Sequence, residues 1–252
     1  MTLFTTFKKK LKRILPNKVI NFYNKYSTHK INKLIENYSN KEKFNYIYKK
    51  NLWGKNQENL KSDFFSGDGS YNKHITVPYI KTINELFNQI NPKSIVDLGC
   101  GDFNIGKNFT SKINKFYAID IVKDLINYNK KKFFNFKNVE FLCLDVTKDK
   151  LPEADVCFLR QILQHLSNQD IFLLLKNIKG KYKYLIVTEH LPSEFFTPNK
   201  DMNTSFTIRL TKNSGIILDK DPFRLSYNNK RELLNTDAFP DNGVINTTIY
   251  YL

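Results

Sequence analysis

Three aspartates close three successive apolar runs: Asp97 ends "SIVD", Asp120 ends "FYAID" and Asp145 ends "VEFLCLD". A carboxylate at the carboxyl tip of a strand can take hydrogen bonds from hydroxyl or amine groups of a ligand lying across the tips. One such aspartate is more often a turn residue or helix cap. Three in a row suit a single extended ligand that carries several donors. The first acid is followed at once by Gly99, Cys100 and Gly101, a bend that lets backbone approach a ligand closely.

Three nucleotide-binding patterns overlap in "SIVDLGCGDFNIGKNF". A phosphate-cradling loop needs a hydroxyl after Gly106 and Lys107 to ligate magnesium, and Asn108 stands there. A dinucleotide fingerprint needs a third glycine at 104, where the residue is Asn104. The remaining pattern is Asp97-Leu98-Gly99-Cys100-Gly101, which resembles the first motif of class I S-adenosylmethionine-dependent methyltransferases. That cofactor has no phosphate, so neither the lysine nor the hydroxyl is required. The resemblance extends through "ADVCFLRQILQHLS" and covers about Tyr79 to Leu252. It implies that Gly99, Cys100 and Gly101 approach the amino-acid portion of S-adenosylmethionine and that Asp97 helps fix its ammonium end. It implies further that Asp120 takes the ribose hydroxyls, Asp145 the adenine amine, the Val146 amide the ring edge, and Ile121 the ring face. Arg160 is expected to meet an anionic group of cofactor or acceptor. Many members carry glycine where Phe103 stands, so a looser approach is expected there.

Methyl transfer to a hydroxyl needs alignment, exclusion of water and removal of a proton. The candidate catalytic residues are His165, which follows the fourth strand, and His190 with its neighbour Glu189, which follow the fifth, "YLIVTEHLP". Either histidine could instead bond a backbone carbonyl structurally. No zinc-like spacing links the four histidines or the three cysteines, so no metal is expected. Isolated Cys100, Cys143 and Cys157 read as reduced and largely buried.

To position these groups, the chain must alternate strands and helices. Strands are predicted over 94–98, 115–119, 139–144, 155–159 and 183–188, with helices near 79–90, 105–113, 123–133 and 168–178. "RELLNT" and "VINTTIYYL" add two strands around the turn "FPDNG". The expectation is an α/β fold with a Rossmann-like class I methyltransferase sheet. It has seven strands, mostly parallel, with an antiparallel strand in the C-terminal hairpin. Three regions follow: a basic helical extension over 1–52, with helices near 18–37 and 41–52; a lid loop over 53–78; and the methyltransferase domain over 79–252.

The net charge of +16 over 252 residues is uneven, because residues 1–50 hold 13 Lys or Arg against 2 Glu. Apolar positions at helical spacing over residues 3–15, with lysines between, predict a basic amphipathic helix ended by Pro16. Such a helix fits an anionic membrane surface or the flank of the domain. No run reaches the roughly 20 apolar residues of a membrane span, and lysines interrupt any signal-like core, so a cytoplasmic location is expected. "LWG", "SGDGS", "TEHLP", "NKDMNTSFTIRLTKNSGIIL" and "DPF" resemble a bacterial subgroup encoded with capsule and surface-polysaccharide genes. That resemblance implies a small-molecule or glycan acceptor, O-methylated on a sugar or on a phosphorus-containing group attached to one. The 53–74 loop and the insert holding Arg209, Ser214 and Gly215 would be its lids. Charge suggests nucleic acid as another substrate, but no Asn-Pro-Pro-Tyr or Asp-Pro-Pro-Tyr tetrad is present. A catalytically silent cofactor-binding scaffold at a membrane assembly is the non-enzymatic alternative.

Overall fold

The computed structural model describes residues 17–55 and 64–252. The helix expected over 3–15, its lipid contact and the lid stretch 56–63 lie outside the described residues. The chain forms two compact units, Met1–Ser39 and Asn40–Leu252. Within the first, helix α1 spans Asn17–Ile35. The second opens with α2 (Asn40–Lys49) and α3 (Lys73–Ile90) and continues with β1 (Ser94–Leu98), β2 (Lys115–Asp120), α4 (Lys123–Lys132), β3 (Val139–Cys143) and β4 (Val156–Arg160). It ends with α5 (Asn168–Ile178), β5 (Tyr184–Leu191), β6 (Asn229–Asp237) and β7 (Val244–Tyr251).

The seven strands form one sheet in the order β3-β2-β1-β4-β5-β7-β6. The first five are parallel, and β7 runs antiparallel to both β5 and β6. Strand order reverses between β1 and β4, the switch point where open α/β sheets bind ligands. Val96 and Leu98 of β1 pack on one face with Ile171, Leu174 and Ile178 of α5. Ile95 turns to the other face, against Tyr79, Ile83, Leu86 and Phe87 of α3. Helices on both faces explain why these strands read as continuous apolar runs.

Four expectations need correction. Helix α3 begins at Lys73, six residues before the predicted start, because the Asn72 side chain accepts the His74 N–H and Pro78 lies inside the helix. Residues 106–112 form a 3₁₀ segment, since the Asn108 amide donates to the carbonyls of Asn104 and Ile105 and competes with α-helical bonds. Strand β5 runs to Leu191, so Glu189 and His190 lie within it. Cys143 is exposed on edge strand β3, while Cys157 is buried and Cys100 half-buried; all three are free thiols.

Candidate functional site

A cavity of about 430 Å³ opens at the carboxyl ends of β1 to β4. This lies within the roughly 300–1,000 Å³ of pockets that enclose small organic ligands. Asp97, Gly99, Cys100, Gly101, Asp120, Ile121, Asp145, Val146, Arg160, His165 and His190 all line it. Of the twelve residues assigned from sequence to catalysis or cofactor binding, only Glu189 stays out of the wall; Arg209, Ser214 and Gly215 of the expected lid insert stay out as well.

The three acids differ in state. Asp97 is buried and makes no hydrogen bond with any described residue; burial pushes its carboxyl up to about 7, Arg160 opposing and Asp120 reinforcing. Asp120 is aimed by backbone: Oδ2 accepts the Gly101 N–H at 3.2 Å and Oδ1 the Val122 N–H at 3.0 Å. Burial raises it to about 6 against those bonds. Asp145 braces its own turn, Oδ1 accepting from the Thr147 N–H at 3.0 Å and its hydroxyl at 2.6 Å. Its Oδ2 lies 3.3 Å from Lys148 Nζ. The next amide, Val146 N–H, meets no backbone acceptor among the described residues.

The bend after β1 depends on its glycines. Gly101 has φ +55°, and a Cβ there would run into Ser66 Oγ. Phe103 corrects an expectation. Its φ of +60° is the left-handed backbone that glycine favours, so the residue holds the bend as a glycine would. Its ring is fully buried among Phe116, Phe133 and Phe141, with centroids 5.0–5.3 Å away, and it does not line the cavity.

Residues 64–72, part of the loop expected as a lid, form a clasp over this bend, and its anchor is an acid that sequence reasoning missed. Asp102, only 1% exposed, accepts the Ser66 N–H at 3.2 Å and the Tyr71 hydroxyl at 2.7 Å. Its own N–H donates to Ser66 Oγ at 2.8 Å, which also pairs with the Tyr48 hydroxyl at 3.1 Å. Arg160 Nη2 donates to the Gly69 carbonyl at 2.5 Å, with the guanidinium 4.9 Å over the Tyr79 ring. Trp53 Nε1 donates to the Phe206 carbonyl at 3.2 Å, tying the end of the 40–55 segment to the insert. An acid directly after a glycine bend carries no distinctive pattern, so nothing in the sequence marked Asp102.

The histidines are held in opposite ways. A carbonyl only accepts, so His165 Nδ1, 3.1 Å from the Thr207 oxygen, carries the proton. Its Nε2 then accepts from the Gln164 amide at 3.3 Å, and Trp53 packs on the ring at 5.0 Å. Burial lowers His165 to about 4, so it stays neutral. In His190, Nε2 donates to the Asn242 carbonyl at 2.7 Å, and Nδ1 has no partner among the described residues. Burial lowers this ring too, against Asn242 and Asp241.

Glu189 points behind the 3₁₀ turn Leu163–His165. Its Oε1 accepts the Leu163 N–H at 3.1 Å, Oε2 has no hydrogen-bond partner among the described residues, and burial raises it to about 8 against Arg209. Arg209 is a buried pin rather than a lid residue. It donates to the carbonyls of Lys200, Leu163 and Leu166 at 2.6–3.1 Å and to Asn168 Oδ1 at 2.9 Å. The insert's cavity residues are Phe206, Thr207, Ile208 and Thr211. Among the described residues, no cluster of His, Cys, Asp or Glu is placed to hold a metal ion, and no helix is long and apolar enough to cross a membrane.

Residues 95–183 match a family model described as a methyltransferase domain. Over 95 residues the chain is 30% identical to phosphoethanolamine N-methyltransferase 1 of Arabidopsis thaliana, a stretch amounting to 36% of this chain and 19% of that protein. The structure of the N-methyltransferase NodS from Bradyrhizobium japonicum, in complex with S-adenosyl-L-homocysteine, superposes with a TM-score of 0.54. It is 8% identical, over 74% of this chain and 93% of that one. The methyltransferase domain of a bacterial CtHen1 gives 0.52 at 13% identity, over 72% and 99%. The fold is therefore the Rossmann-like fold of class I methyltransferases.

Proposed function

We propose that the protein transfers a methyl group from S-adenosylmethionine to a hydroxyl of a sugar, or of a phosphorus-containing group on one, in surface-polysaccharide synthesis. The carrying observation is one cavity in which an unpartnered buried carboxylate, Asp97, adjoins a backbone-aimed one, Asp120, inside a segment that matches methyltransferase domains.

These residues fit the cofactor. Asp97, which accepts no hydrogen bond from the described residues, suits an ammonium group. Asp120 keeps lone pairs for two ribose hydroxyls after accepting two backbone bonds. Val146 N–H and Asp145 Oδ2 suit the edge of an adenine ring, with Ile121 on its face. Gly99, Cys100 and Gly101 leave backbone bare beside the amino-acid portion. Arg160, already bonded to the clasp, would hold a carboxylate or acceptor anion while keeping residues 66–70 closed. The cofactor supplies a methyl group on a sulfonium centre, from which the leaving group departs neutral. The protein's part is to align the acceptor, worth roughly 7–11 kcal/mol of barrier, and to keep water out beneath the clasp. We assign the reaction to the cytoplasm, with residues 1–16 as a candidate contact to anionic lipid.

Calorimetry with S-adenosylmethionine tests the cofactor. Incubation with envelope polysaccharide from a strain lacking the gene tests the acceptor, read as a mass gain of one methyl group. Absence of cofactor binding overturns the whole reading; binding without methylation overturns the acceptor class. An amine acceptor is the second reading. It is favoured by Asp68 and Asp241 in a wall where Arg160 is the only Lys or Arg among the described residues. Methyl groups found on nitrogen would decide for it.

A further inference from the structure

We infer that His190 takes the proton from the acceptor hydroxyl through Nδ1, and that the turn between β6 and β7 makes Nδ1 the accepting atom. The inference deepens the methyl-transfer reading above and rests on it.

The turn over residues 238–243 folds back on β5. Ala238 N–H donates to the Gly243 carbonyl at 3.1 Å, and Asp241 N–H to the Ala238 carbonyl at 3.1 Å. In the β5–β7 register His190 faces Ile245 and Leu191 faces Val244, which brings residue 242 over the imidazole. Nε2 lies 2.7 Å from the Asn242 oxygen. An acceptor with no proton of its own fixes the hydrogen on Nε2 and leaves the lone pair on Nδ1.

Gly243 allows this contact. Its φ is +97°, and a Cβ would collide with the Leu191 carbonyl oxygen while lying 3.1 Å from Nε2. Ala238, Pro240 and Asp241 of the same turn line the cavity together with His190. The other candidates are occupied or displaced: both nitrogens of His165 are bonded, and Glu189 lies outside the wall. Among the described residues, Asp241 is the charged group that acts on His190, and it favours the cation formed when the proton arrives.

In the step itself, the acceptor proton passes to Nδ1 as the oxygen pair forms the new O–C bond. The C–S bond breaks with its electron pair staying on sulfur, which becomes a neutral thioether. The Asn242 carbonyl and Asp241 stabilise the imidazolium until the proton goes to water.

Nitrogen-15 NMR of the full chain at pH 7 with S-adenosylhomocysteine tests the tautomer. His190 should be neutral with its proton on Nε2, and His165 neutral with its proton on Nδ1. Gly243→Ala should lose the fixed tautomer at His190 and leave His165 unchanged. A cationic His190, or one carrying its proton on Nδ1, overturns the inference. With envelope polysaccharide from the gene-disrupted strain as acceptor, His190→Gln should lower kcat roughly 10²–10⁴-fold. Its dissociation constant for S-adenosylmethionine should not change, which also shows that the variant folds. Because burial lowers the ring, the wild-type kcat at saturating S-adenosylmethionine should be level at neutral pH and fall in acid. Titration of Asp97 and Asp120 acts instead on cofactor binding and enters KM. An unreduced His190→Gln rate overturns the inference although the methyl-transfer reading stands. If the wild type binds cofactor but methylates nothing in that preparation, the acceptor class fails and the tautomer alone decides.

Discussion

The two ends of the cavity are built from different material. At one end, Asp97, Asp120 and the 99–101 bend sit on strand tips whose positions follow from the pleat and the parallel register. At the other, the 64–72 clasp, the 206–211 insert and the 238–243 turn hang from loops, and side-chain bonds to backbone hold them in place. Strand tips are set by the whole sheet and tolerate little change. Loops can be re-cut without disturbing the fold, which suits an end that selects the acceptor.

Four variants would break or sharpen that contrast. Phe103→Ala should cost about 3–5 kcal/mol of stability, because the ring fills an aromatic core. Cofactor affinity, measured well below its melting temperature, should survive; loss of affinity without loss of stability would mean that Phe103 belongs to the site. Asp120→Ala should weaken S-adenosylmethionine binding by about 1.5–3 kcal/mol, at least tenfold by calorimetry. Ser66→Ala removes the oxygen shared by Asp102 and Tyr48 and should loosen the clasp by about 0.5–1.5 kcal/mol. Hydrogen exchange should then rise over residues 64–72 and stay unchanged in β1.

Glu189→Gln gives the smallest effect near pH 5. The folded Glu189 is raised to about 8 from an ordinary 4.5, so its contribution is full below 4.5 and declines as pH climbs towards 8. Glutamine does not titrate. Melting temperatures of the two proteins should therefore lie close at pH 5, and the variant should be relatively more stable at pH 8.5. Parallel curves would show that Glu189 is not held protonated.

The sheet was legible because each of the first five strands carries a short apolar run, the pattern that a core covered on both faces demands. Asp97, Asp120 and Asp145 could be found for the same reason. Helix α3 starts before the predicted 79 because its cap, the Asn72 side chain, lies upstream of Pro78. Phe103 misled because residue type hides backbone conformation: a phenylalanine at positive φ does there what a glycine does elsewhere. Asp102 and the tautomer of His190 depend on contacts between residues 36 and 52 positions apart, which no local spacing records.

A crystal grown with S-adenosylhomocysteine tests the central claim most directly. The account predicts the ribose hydroxyls within hydrogen-bond distance of Asp120, the amino group beside Asp97 and the adenine against Ile121. A nucleoside bound away from these three residues, or a phosphate seated in the 99–101 bend, would contradict it.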